Sequence, residues 1–519
     1  MGRSRSDNLR VPLEVWHSAV LVAFFLTAVA ANFWVIAKYG NATPSGDEWS
    51  AEALGLYPSY FRSHLSLGAL LAPNNEHRIF TTRLLELLLI HFNGLWDPIL
   101  QMMANAVIHA AIGVAFLLVV RRHLSPIAFT GCAVLVLTVI ALPYGWENTL
   151  IGFNTHFYAV LLFGLIAIRL LSRESSFSWL WLIGLACGAL SFLSLASGAL
   201  VFLASFLVLL AKLGCGAVTG RRDRLAAAVL LAGFGVAYAF TPTVAWLAAW
   251  RPHSPFEFLQ AFFTLASWPF AGGALIAAIV NMPGAAVAWT IYRDRPPASD
   301  IRWTLLGLWL WVVLQVASIA YGRAIYVEAP RYFDITALGV MVNFVCAVRL
   351  AGVGNLVGLR YARYASFAWG VIVATGLWHA AERLPEELRA AAAERLVQEY
   401  NVKAFLATGD FPSGSVLPDA LPLPNVDGLA AILADKNVRR FLPSSLQTAM
   451  PEEVGRFGPE RETRVDRLAW LRDGLLTASE PLLFAGAVSF LLLAAFGALA
   501  ERPSDHKNGF GVGATAKLS

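Results

Sequence analysis

Residues 13–36 read LEVWHSAVLVAFFLTAVAANFWVI. An apolar run of about 20 residues is what a helix needs to cross the hydrocarbon core of a bilayer. Arg3, Arg5 and Arg10 precede it, as in the charged region of a signal peptide. The run is long, ends toward Phe33-Trp34 and lacks a small-x-small cleavage site, so it reads as an uncleaved first span. Comparable runs recur near residues 99–120, 124–143, 155–171, 178–195, 198–213, 226–249, 270–291, 303–321, 334–350, 365–380 and 481–500. The expectation is an all-α integral membrane protein of about twelve transmembrane helices.

Composition points the same way. Of 519 residues, 57% are hydrophobic and 14% charged, where a soluble chain has roughly 25% charged residues. The mean hydropathy is +0.61. The net charge of +5 reads as the Lys/Arg bias of cytoplasmic loops, so no nucleic-acid partner is expected. Cys132, Cys187, Cys215 and Cys346 lie far apart in or beside apolar segments. They read as small buried hydrophobes, not as disulfides or metal ligands.

Basic residues fix the orientation. Arg121-Arg122, Arg173, Lys212 with Arg221-Arg222-Arg224, Arg293 with Arg295, and Arg360 with Arg363 fall on alternate loops, and Arg502 and Lys507 lie in the tail. The opposite loops, such as Pro143–Asn154, are nearly free of Lys and Arg. Both termini are therefore expected in the cytoplasm. The outer face receives a first loop (37–98), short loops at 143–154, 250–262 and 321–334, and a mostly helical insert at 381–479. The expected division is a membrane module at 1–380, that extracytoplasmic insert, and a last span with its tail at 480–519.

The first loop is a polar island. From Gly46 to Asp97 it reads GDEWSAEALGLYPSYFRSHLSLGALLAPNNEHRIFTTRLLELLLIHFNGLWD. Asp47 and Glu48 could accept a proton from a hydroxyl or ligate a divalent cation; the plainer reading is a solvated helix start. Asn74-Asn75-Glu76-His77-Arg78 packs five hydrogen-bonding side chains between apolar stretches, and Arg83 and Glu86 are spaced for an ion pair. No His/Cys spacing matches zinc. Glu147 and Asn148 sit where a span begins, and His156 reads as a packed helix-start residue. Arg323 and Arg331, interleaved with Tyr326 and Tyr332, run against the positive-inside tendency. Their planar forks suit phosphate, with pairing to Glu328 and Asp334 as the structural alternative. Arg251 and His253 are a secondary phosphate candidate.

Taken together, these pieces resemble the polytopic GT-C glycosyltransferases that use polyprenyl-phosphate-linked sugars. Members place an acidic pair in the first extracytoplasmic loop, and Asp47-Glu48 matches in type and position. The resemblance extends to a bacterial branch with an NEHR-like stretch (Asn75–Arg78), an Arg-Leu helix (Arg83-Leu84), an Asn-Gly turn (Asn93-Gly94), a Glu-Asn loop (Glu147-Asn148) and an Arg-Tyr loop (Arg331-Tyr332). It covers about the first 380 residues; no WWDYG-type oligosaccharyltransferase motif is present. It implies a GT-C-like fold in the bacterial inner membrane, with a periplasm-facing site. The implied partners are a polyprenyl-phosphate sugar donor, a glycan, lipid or protein acceptor, and membrane lipids. Asp47 or Glu48 would be the base of an inverting transfer, and Arg323 and Arg331 would hold the phosphate. Glu76, His77 and Arg78 would orient the acceptor or the acidic pair, with Glu147 as a spare carboxylate. Some members use Mg²⁺ or Mn²⁺, which Asp47 and Glu48 would ligate, and others use none. The competing functions are a secondary transporter or lipid-linked-sugar flippase, and a non-catalytic envelope assembly protein.

Overall fold

The computed structural model describes residues 12–352, 361–414, 419–449 and 465–500. Arg3, Arg5, Arg10, Arg360, Arg502 and Lys507 lie outside the described residues, as do parts of the insert. Helices dominate, and the described residues form no strand. Each expected apolar segment overlaps a helix. Eight of these helical stretches are long and apolar enough to cross a membrane: Leu13–Tyr39, Pro98–His123, Gly152–Arg173, Ala196–Gly214, Ala274–Asp294, Ile301–Gly322, Pro330–Ala351 and Ser479–Gly497. Pro126–Ala141 and Trp179–Phe192 are apolar but shorter.

Local sequence sets the helix starts. Asp97-Pro98 and Ser125-Pro126 each put a capping oxygen before a proline at the first helical position. There Asp97 accepts from the Leu100 amide at 3.0 Å and Ser125 from the Ala128 amide at 3.4 Å. Proline lacks the N–H that a first turn leaves unpaired, so it is tolerated at that position. Gly94 and Gly409 end their helices in the left-handed conformation, φ 88° and 89°, which a side chain would resist.

Between the apolar helices, close approach and polar clasps replace a hydrophobic driving force. The first and last helices pack together, with the Trp16 indole donating to the Leu493 carbonyl at 3.0 Å. A Cβ on Gly164 would lie 2.4 Å from the Trp311 ring, so the helices Thr155–Arg173 and Ile301–Gly322 meet only because that position is bare.

Two features depart from the expected division. The boundary at 380/381 falls inside one helix of 47 residues, Ala362–Thr408, which runs through Pro385 without a break. At 1.5 Å per residue it extends about 70 Å, more than twice the hydrocarbon thickness, so membrane module and insert share a rigid rod. The insert is also not a separate body. Trp49, Tyr57 and Trp96 of the first loop share a core with Phe405, Leu433 and Phe441 of the insert. Backbone bonds from Gly46 to the Pro422 carbonyl (2.7 Å) and from Trp96 to the Phe441 carbonyl (2.9 Å) stitch the two. Loop and insert thus form one cap.

Candidate functional site

Asp47 begins a nine-residue π-helix, Glu48–Leu56. It is exposed, and its carboxylate accepts from the side-chain amides of Asn74 and Asn75 at 3.2 and 3.4 Å. Those asparagines belong to a tight turn in which Asn74 and His77 exchange backbone bonds of 2.8 and 3.0 Å. The turn presents Glu76 to Arg323, 247 residues later, in a direct ion pair. His77 lies between this pair and the bundle. Its Nε2 is 3.4 Å from Glu76 Oε1, and its Nδ1 accepts from the Ala196 amide at 3.3 Å. Burial pushes the imidazole down to about 4, so His77 is neutral near pH 7 and offers Glu76 an N–H rather than a charge.

A second pair lies alongside. Arg331 Nε is 3.0 Å from Glu147 Oε2, and Asn148 donates to both the Arg331 carbonyl and Asp334 Oδ2 at 2.8 Å. Burial raises the Glu147 carboxyl above its ordinary range, against the pull of Arg331. Tyr332 is buried and senses Arg331, Arg323, Glu147 and Glu76 together, so both pairs border one region. The arginines thus pair with Glu76 and Glu147, not with the sequence neighbours Glu328 and Asp334.

Other candidates stand differently. Arg78 donates to the carbonyls of Leu71 and Phe240 and braces the loop rather than facing a ligand. Tyr326 packs edge-on against Trp250 at 5.0 Å, while Arg323 lies over the same indole at 5.1 Å. Arg251 covers Tyr321, and the His253 backbone amide is bound by Glu257. Arg83 and Glu86 form no ion pair: Arg83 donates to the carbonyls of Leu70 and Ala72, and Glu86 turns toward Glu52.

Glu48 faces inward. It is 1% exposed and takes backbone N–H groups of Ser45 and Phe153 at 2.5 and 3.0 Å. Burial pushes its carboxyl up to about 8. Asp47 and Glu48 therefore point to different environments and do not fit a shared divalent cation. Among the described residues no group of three or more His, Cys, Asp or Glu side chains could hold a metal ion.

No family model, curated protein or solved structure matches the chain.

Three features of this region were missed in the sequence. Arg395, on the long helix, acts electrostatically on both Glu48 and Glu147. Glu52, four residues after Glu48, joins a buried carboxyl cluster; that spacing on an apolar helix face was its available signal. A cavity of about 580 Å³ lies between Trp268, Phe333 and the long helix near Leu384. Trp146 and Pro330 also line it, and they are the chain neighbours of Glu147 and Arg331. No local pattern announces a cavity assembled from four distant segments.

Proposed function

We propose that this protein is a glycosyltransferase of GT-C-like fold with about twelve spans. It moves a sugar from a polyprenyl-phosphate donor to an acceptor at the outer face of the bacterial inner membrane, with both termini cytoplasmic. What supports the reading is that the turn holding Asp47 also carries the Glu76–Arg323 pair, and that the Glu147–Arg331 pair adjoins Trp146 and Pro330 in the wall of a cavity that is mainly aromatic and aliphatic but also receives Glu328, Glu387 and Glu394. A lipid phosphate needs that combination of arginine and apolar wall.

The roles follow from exposure and partners. Asp47 is free to take the proton of an acceptor hydroxyl. The acceptor oxygen then attacks the anomeric carbon, the carbon–oxygen bond to the phosphate breaks with inversion, and the electron pair leaves on the phosphate. Arg331, whose side chain is 41% exposed, stabilises that growing charge. Arg323 is held by Glu76 and positions the Asn74–His77 turn beneath Asp47. Glu48 anchors the π-helix and takes no proton from substrate. The test is transfer of labelled sugar from a panel of polyprenyl-phosphate sugars by purified protein in nanodiscs. Donor consumption supports the reading, and an inert panel contradicts it.

A transporter is the second reading, and one observation favours it: His109 and Asp334, 3.5 Å apart, are buried among the spans, where ionisable groups commonly mark ion pathways. Sugar-lipid counterflow without donor cleavage would support that alternative.

A further inference from the structure

The buried carboxyl cluster under the cap has an unusual chemical make-up. Glu52 Oε2 accepts from the Tyr57 hydroxyl at 2.5 Å and from the Gln101 amide at 2.8 Å. Glu52 Oε1, both oxygens of Glu86 and Gln101 Oε1 are buried without a partner among the described residues. These unpaired atoms are all acceptors. Tyr57 donates to Glu52, and Arg83 donates through Nη1 to the carbonyls of Leu70 and Ala72 while its charge acts on Glu86; Trp96 Nε1, packed on Tyr57, and Thr82 Oγ1 are buried donors without a partner among the described residues. Glu48 faces Glu52 from the same helix, and Arg395 of the long helix acts on Glu48. Two carboxylates cannot face each other in a dry pocket without a positive charge between them.

We propose that Glu52 and Glu86 share a proton, and that this acid pair is a pH-sensitive latch holding the cap on the transmembrane bundle. The cluster occupies the seam. Tyr57 belongs to the core of the cap, Gln101 to the start of the bundle helix Pro98–Val120, and Glu86 to the helix Phe80–Asn93 of the first loop. Burial pushes Glu86 up to about 8 and Glu52 well above its ordinary range. Both pKa values are raised in the closed state, so the latch is fully stabilising below the usual carboxyl range and weakens as pH rises toward about 8. Asp47 begins the helix that carries Glu52, so opening the seam moves the proposed base. Only that consequence for activity rests on the glycosyl-transfer reading.

Hydrogen–deuterium exchange of the full chain in nanodiscs tests the latch without an activity readout. Protection factors for residues 48–57 and 80–93, corrected for intrinsic exchange, are compared between about pH 5.5 and 9. In the wild type they should fall by at least about tenfold, the equivalent of one pKa unit. In Glu86→Gln, a neutral isostere, the fall should be clearly shallower, carried only by the remaining buried carboxyls Glu48 and Glu52. A wild type that shows no change, or a variant that loses protection just as steeply, overturns the proposal. Should Glu86→Gln fail to fold, infrared difference spectra of wild type and Glu52→Gln at pH 7 decide. A protonated-carboxyl band lost in Glu52→Gln is expected, and no such band in the folded wild type overturns the latch. Absence of glycosyl transfer would change neither readout.

Discussion

The guanidinium of Arg323 is closed onto the carboxylate of Glu76, 247 residues earlier in the chain. The pair joins the first loop to the loop that follows Ile301–Gly322, and it fixes the turn whose asparagines hold Asp47. Both side chains are largely shielded, 15% and 20% exposed, so the pair escapes much of the screening that makes surface ion pairs weak.

A double-mutant cycle measures that contact. Arg323→Ala and Glu76→Gln should each destabilise the protein, and the double variant should lose less than their sum. The coupling is expected at about 1 kcal/mol, read from reversible denaturant melts in detergent. A sum with no coupling would make the pair incidental.

Glu147 should compete with the donor for Arg331. Removing the arginine forfeits a charge-assisted bond of about 1.5–3 kcal/mol, so Arg331→Ala should raise the donor KM by about tenfold or more. Glu147→Gln should lower it. Burial raises the Glu147 carboxyl, so protonation frees Arg331 at a higher pH than an ordinary carboxylate would allow. Wild-type donor KM should therefore fall as pH is lowered through the Glu147 titration, and Glu147→Gln should be flat. Steady-state kinetics over a pH series check the sign.

Asn148 clamps the same loop. Its amide serves Asp334 and the Arg331 carbonyl at once, and Asp334 is buried. Asn148→Ala should lower stability by about 1–3 kcal/mol, the penalty of stripping a donor from a buried carboxylate. It should also weaken donor binding, because Arg331 loses its backbone anchor. Thermal melts and donor titration separate the two effects.

Phe441 ties the insert to the first loop, packing edge-on against Tyr57 at 5.5 Å and close to Phe61 at 5.2 Å. Phe441→Ala should cost about 3–5 kcal/mol and release exchange protection across residues 48–57. A variant that loosened residues 426–447 alone would mean that the insert folds independently.

The helical plan was legible because bilayer-spanning sequence is extreme in composition: segments such as 13–36 and 303–321 declare themselves by length and apolarity. The partner of each arginine was not. Arg323 and Arg331 have acids close by in sequence at Glu328 and Asp334, yet tertiary packing delivers Glu76 and Glu147. The continuity of Ala362–Thr408 was hidden by Pro385 and by a change from apolar to charged residues, which marks the exit of a helix from the membrane as readily as its end. The cap was hidden because Trp96 and Phe441 meet across more than three hundred residues of chain. Glu48 and Asp47 were indistinguishable as letters; only the fold turns one inward and leaves the other exposed.

The central claim is that Asp47 is the base of a transfer from a phosphate-linked sugar, and one measurement addresses it most directly. Wild type and Asp47→Asn, reconstituted in nanodiscs and matched for folding, are given the polyprenyl-phosphate sugar the wild type consumes. Single-turnover donor cleavage should fall by at least about 10²-fold in Asp47→Asn, the scale of a lost general base, with donor binding retained. Cleavage left intact in that variant would contradict the account.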